Sequence, residues 1–172
     1  MGLRRAEDRA ALAVLRAEPV WLEFCDSQYG RSPDAHAVAG ALEEVIRRTG
    51  PDAVVFPLGL FHDDHKLAHR ATLDLRAHVS RSTPVRTPAW VMYEDAIYRR
   101  YTGLVQERLS GLSAAGVIVT PIAWTDQPSG RKRAAVACYA SQLRALCTPG
   151  RPGYGDVFGH ERYWRVEPCG AR

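Results

Sequence analysis

The chain has few cysteines, no long apolar run and no strong excess of either charge, and each shortage narrows its possible roles. Four cysteines stand among 172 residues, at 25, 138, 147 and 169, and no two form a Cys-x-x-Cys pair. That is too sparse for a disulfide-stapled scaffold, so free thiols in a reducing, cytoplasmic compartment are expected. No apolar stretch approaches the ~20 residues a membrane helix needs, so no membrane partner is expected. The formal net charge is only +4, from 23 Lys plus Arg against 19 Asp plus Glu. The one dense basic run, Arg131-Lys132-Arg133, opens a predicted helix and reads as a solvated helix face. Nucleic-acid binding asks for a wider basic stripe with exposed aromatics, so no nucleic-acid partner is expected. The sequence also lacks a Gly-x-Gly-x-x-Gly loop, a serine-centred elbow, an internal repeat and any low-complexity tract.

What is present is the composition of a globular protein. Apolar residues make up 46 % and charged residues 24 %, so both a core and a solvated surface are available. The length suits one domain over residues 1–172 and is enough for a real core. Oligomeric state is open at this level.

Periodicity gives the order of elements. Leu3, Ala6, Ala10, Ala13 and Val14 recur at helical spacing, and Glu18-Pro19 closes that helix. Val20 to Phe24 is a strand candidate. Asp26 to Pro33 is a loop. A second helix starts at Pro33 or Asp34, shows the stripe Ala35, Val38, Ala39, Leu42, Val45 and Ile46, carries Arg47 and Arg48 in its last turn, and ends at Gly50. Asp52 to Pro57 reads as a buried strand covered on both faces. A helix over about 64–78, a linker over 80–88, a strand over 89–93, a weakly periodic helix over 98–109, a strand over 116–122 and a helix over about 131–146 follow. Thr125-Asp126 leads into that last helix, and the tail from Thr148 is rich in Gly and Pro with an aromatic cluster. Helix and strand alternate as in an α/β layer, whose chemistry sits beyond the carboxyl ends of its strands.

Three of the six histidines fall there, in Phe61-His62-Asp63-Asp64-His65-Lys66-Leu67-Ala68-His69. His65 and His69 are four apart and share a helix face. Neutral imidazole is a common zinc ligand, and carboxylates complete or orient such sites, so Asp63 and Asp64 are well placed. Hydrolysis at zinc takes about three protein ligands, an open position for water, a base, and a donor aimed at the developing oxyanion. His62 or His65 suits ligand or donor, and at least one further ligand must come from another strand end. The plainer reading is that Asp63 or Asp64 caps the helix and the histidines are surface groups. His160 beside Glu161 is a weaker second pair, and His36 near Asp34 a third position with no supporting pattern.

The segment Phe56-Pro57-Leu58-Gly59-Leu60-Phe61-His62-Asp63-Asp64-His65 resembles the second motif of the N-acetylglucosaminyl deacetylase (LmbE-like, PIG-L) family, typically His-Pro-Asp-His. Asp63 stands where that motif has proline. Arg4 to Ala10 resembles the family's Arg-x-x-Glu helix, and Val20 to Asp26 its next strand and loop. Tyr93-Glu94-Asp95 resembles its tyrosine–acidic segment. Lys132 to Gln142, with Tyr139-Ala140-Ser141-Gln142, resembles its late helix. The resemblance implies a Rossmann-like α/β fold with a mostly parallel sheet flanked by helices. It also implies zinc-dependent hydrolysis of an N-acetyl group from an amino sugar or glycoconjugate, releasing acetate. By the same resemblance His65 is a zinc ligand. His62 is the protonated imidazole that polarises the carbonyl, Asp64 holds His62 in that form, and His69 packs.

The chain departs from the family in a second and larger respect. The family opens with a strand ending in Ala-His-Pro-Asp-Asp-Glu, which supplies two further zinc ligands and the general base, and no counterpart occurs here. The expectation is a domain incomplete at its N-terminus. A start-codon error, a truncation, and a catalytically inert remnant with a binding role all fit that expectation.

Overall fold

A computed structural model describes residues 2–25, 30, 32–82, 87–123, 130–150 and 153–168. Asp26, residues 83–86 of the linker, Thr125-Asp126 and Cys169 lie outside the described residues.

Local chemistry sets the first helices. Helix α1 (Gly2–Leu15) ends before Glu18-Pro19. Arg16 takes a left-handed conformation at φ 57°, and the N–H groups of Arg16 and Ala17 return to the carbonyls of Ala13 and Leu12. These two bonds make a Schellman stop without the usual glycine. Helix α2 (Ala35–Thr49) has the expected caps: Asp34 accepts from the Ala37 N–H at 3.2 Å, and left-handed Gly50 donates to the Ile46 carbonyl. Between them, Val20–Phe24 forms no strand. No strand pairs with it among the described residues, and Trp21 instead lies under the guanidinium groups of Arg9 and Arg5, at 4.7 and 5.5 Å from the ring centre. The β-prone run is held by a helix surface and not by a ladder.

Strand β1 (Ala53–Pro57) leads through helix α3 (Asp63–Ser82) to strand β2 (Ala89–Tyr93), and the two strands pair in parallel. Helix α4 (Leu104–Ala114) precedes strand β3 (Val119–Ile122). The expected last helix is broken at Cys138-Tyr139 into α5 (Gly130–Ala137) and α6 (Ala140–Leu146). A 3-10 turn (Gly155–Phe158) and strand β4 (Tyr163–Val166) complete the chain. The sequence reading did not find β4, because its aromatic residues sit in a tail dense in Gly and Pro.

The sheet order is β1-β2-β4-β3, with β4 antiparallel to both neighbours. Strands β1, β2 and β3 therefore run the same way, and β4 is inserted against them. The result is a mixed α/β fold with a small sheet flanked by helices. Phe56, Trp90 and Met92 share one face, where they pack with Val38 and Ala39 of α2, Ala71 and Leu75 of α3, and Val105 and Leu112 of α4. The opposite face differs from expectation. Strand β1 lies at the sheet edge, and Val55 is 55 % exposed, so the apolar run Ala53–Phe56 is covered on one face only among the described residues. None of the described helices is long and apolar enough to cross a membrane.

Two regions of family resemblance meet. Glu7 of α1 accepts from both the Ser141 N–H (2.8 Å) and the Ser141 hydroxyl (2.6 Å) at the start of α6. Those bonds outweigh burial and hold the Glu7 carboxyl below its ordinary range.

Candidate active site

The carboxyl ends of β1 and β2 carry the cluster. After Pro57 the chain turns through Leu58, Gly59 and Leu60, all buried, into α3. Gly59 sits at φ 73°, and a Cβ there would meet the Cβ of His69 at 2.9 Å and the His65 carbonyl at 3.2 Å. Only glycine allows the turn to pass this close to α3. Arg108 of α4 donates to the Gly59 carbonyl and ties the turn from its other side.

Asp95, just past the end of β2, is 1 % exposed. One of its oxygens accepts from the Leu60 N–H at 2.8 Å, and the other lies 2.6 Å from His65 Nδ1. The carboxylate so placed calls for a proton on Nδ1, which leaves His65 Nε2 as a lone-pair acceptor on a side chain 39 % exposed. This is the carboxylate–imidazole pattern that orients metal-ligating or proton-accepting histidines.

His62 is the residue before α3, and its carbonyl accepts the Lys66 N–H. Its Nδ1 lies 3.3 Å from the Asp64 N–H and 3.5 Å from an Asp64 carboxylate oxygen. Accepting from the Asp64 N–H leaves Nδ1 without hydrogen, and the neutral ring then carries it on Nε2. The His62 and His65 rings are 5.7 Å apart between centres. A hydrogen-bond donor and a lone-pair acceptor thus stand side by side. An amide carbonyl and its attacking water require that combination.

The remaining candidates separate from this site. His69 is 4 % exposed, bonds through Nδ1 to the Pro57 carbonyl at 3.0 Å and packs 5.9 Å from the Phe56 ring; burial pushes its pKa down. It is a packing histidine. Asp63 is exposed and meets Lys66 at 3.4 Å. His36 lies exposed on α2. His160 is exposed, while Glu161 pairs with Lys132 at 2.6 Å. Tyr93 sits beside the cluster, where burial first, then the Asp95 and Glu161 carboxylates, push its hydroxyl up to about 12. Asp95 is the member of this candidate site that sequence reasoning did not assign. Its signal was an acidic pair following a predicted strand.

Among the described residues no group of three or more His, Cys, Asp or Glu side chains converges as a metal cage. The described residues therefore offer His65 as one ligand position and not the full set that zinc takes.

The geometry defines an α/β domain with a carboxylate-oriented histidine pair beyond its strand ends. Two solved structures share that fold. One is the deacetylase of the A40926 pseudoaglycone, Dbv21, at 23 % identity and a TM-score of 0.71, covering 99 % of this chain and 72 % of that one. The other is a triple mutant of a deacetylase involved in the teicoplanin biosynthetic pathway, also at 23 % identity and 0.71, covering 98 % of this chain and 72 % of its own. At that identity the likeness establishes the fold. No protein-family model and no curated protein matches the sequence.

Proposed function

We propose that this chain carries the histidine half of a zinc-dependent site that removes an N-acetyl group from an amino sugar or glycoconjugate, as in the LmbE-like family its motifs resemble. The observation that carries the reading is the 2.6 Å contact between His65 and the buried Asp95. That contact prepares Nε2 of His65 as a ligand. Zinc held at His65 would supply an acidified water as the nucleophile. His62 donates from Nε2 to the carbonyl oxygen and steadies the oxyanion as it forms. Asp64 holds the other nitrogen of that ring through its N–H or its carboxylate. Both structural neighbours are deacetylases, which supports the reaction class.

In this reading the remaining ligands come from outside the described residues. The protein loaded with zinc should hold about one ion per chain and release acetate from an N-acetylglucosamine conjugate. His65→Ala should abolish metal retention. His62→Ala should keep the metal and lower turnover about 10²- to 10³-fold, the usual effect of removing one oxyanion donor. No stoichiometric zinc and no acetate release would sink the proposal.

A further inference from the structure

An aromatic path leads away from the histidine pair. Phe61 stacks on Tyr98 at 5.2 Å between ring centres and lies 6.0 Å from Tyr101, while Tyr98 meets the His65 ring edge-on at 5.9 Å. Phe61 is 57 % exposed and Tyr101 44 % exposed, so two large rings adjoin the site and face solvent together. Tyr101 also lines a cleft of about 600 Å³, together with Val105, Leu109, Trp164, Glu94 and Arg162. The cleft floor is fixed: Glu94 is 2 % exposed and accepts from Trp164 Nε1 at 3.1 Å, with Arg162 Nη1 at 3.5 Å. The buried carboxylate is satisfied, and the indole is anchored by its only donor.

We infer that the Phe61–Tyr98–Tyr101 stack and the adjoining cleft bind the portion of the substrate beyond the acylated sugar, and that this portion is apolar or aromatic. The inference rests on the deacetylase reading for its direction, since the stack starts at His65 and ends in the cleft. Ring faces take up flat apolar surface and sugar C–H groups, and large aromatic side chains dominate such burial. A free monosaccharide at the histidines would leave Tyr101 and the cleft uncovered. A sugar joined to a bulky apolar aglycone would cover both.

The test uses the chain as it stands, by calorimetric titration with phenyl and methyl N-acetyl-β-glucosaminide. The phenyl compound should bind about tenfold more tightly, as expected for burial of one aromatic ring. Tyr101→Ala should bring the two affinities to within about twofold. Gln106→Trp should do the same by filling the cleft from an exposed position on α4. Because Gln106 is exposed, this second variant keeps the test open if Tyr101→Ala fails to fold. Equal affinity for both glycosides in the unsubstituted chain, or a phenyl preference that survives the substitutions, overturns the inference. Binding is read without turnover. A preserved preference with no acetate release from the zinc-loaded protein would therefore sink the catalytic reading alone, and acetate release without the preference would sink this one alone.

Discussion

Asp95 and His65, thirty residues apart, meet at 2.6 Å because the β1–α3–β2 crossover brings the start of a helix against the end of the next strand. The same carboxylate takes the Leu60 N–H, so it orients the imidazole and also holds the turn that delivers it. Asp95→Asn keeps the size and removes the charge. It should cost about 1.5–3 kcal/mol, the usual range for hydrogen bonds to charged groups. In ¹⁵N spectra the His65 ring should change from one tautomer to a mixture. An unaltered tautomer would show that Asp95 does not orient the ring.

Gly59→Ala should destabilise by about 1–3 kcal/mol, from left-handed strain and the 2.9 Å approach to His69 Cβ. Gly111→Ala is the contrast, since nothing lies within 4 Å of its added Cβ in α4. It should stabilise by about 0.5–1 kcal/mol through helix propensity. Urea unfolding of the two variants measures both effects, and similar midpoints for the pair would contradict the packing described for the turn.

His69 makes stability depend on pH. Burial pushes its folded-state pKa below the ordinary histidine value of 6.5, while the unfolded chain protonates near that value. As pH falls below about 6.5 the unfolded state takes up the proton first, so stability drops until the folded-state pKa is reached. His69→Gln keeps a donor for the Pro57 carbonyl and removes the titration. The loss of stability between about pH 8 and about pH 5.5 should therefore be smaller in the variant than in the parent. Parallel denaturation curves at the two pH values provide the measurement.

Glu7 works in the opposite pH range. Its carboxyl is held below 4.5 chiefly by the Ser141 hydroxyl and then by the Ser141 N–H. Its contribution is present above the unfolded value and lost as pH falls through the lower folded value. Helix α1 should detach in acid before the sheet melts. At neutral pH, Ser141→Ala should raise amide exchange in α1 roughly tenfold while β2 stays protected, as expected for local opening. Uniform exchange across both elements would show that α1 is not a separate unit.

The sequence by itself determined what is local. The Asp34 and Gly50 caps, the α2 stripe, the strand at Ala53–Pro57 and the placement of His62, Asp64 and His65 beyond it follow from spacing, from the αL preference of glycine and from capping chemistry within a few residues. Only the tertiary structure decided the rest. Val20–Phe24 has strand composition, but a strand needs a partner, and Trp21 is held by Arg5 and Arg9. Strand β4 exists because β2 and β3 both pair with it, and no local signal in a Gly- and Pro-rich tail records that pairing. The exposure of Val55, the contact of Glu7 with Ser141 and the grip of Asp95 on His65 join residues far apart in the chain. Periodicity states which residues want burial or a partner. The partner itself is fixed only when the sheet order brings distant strand ends together.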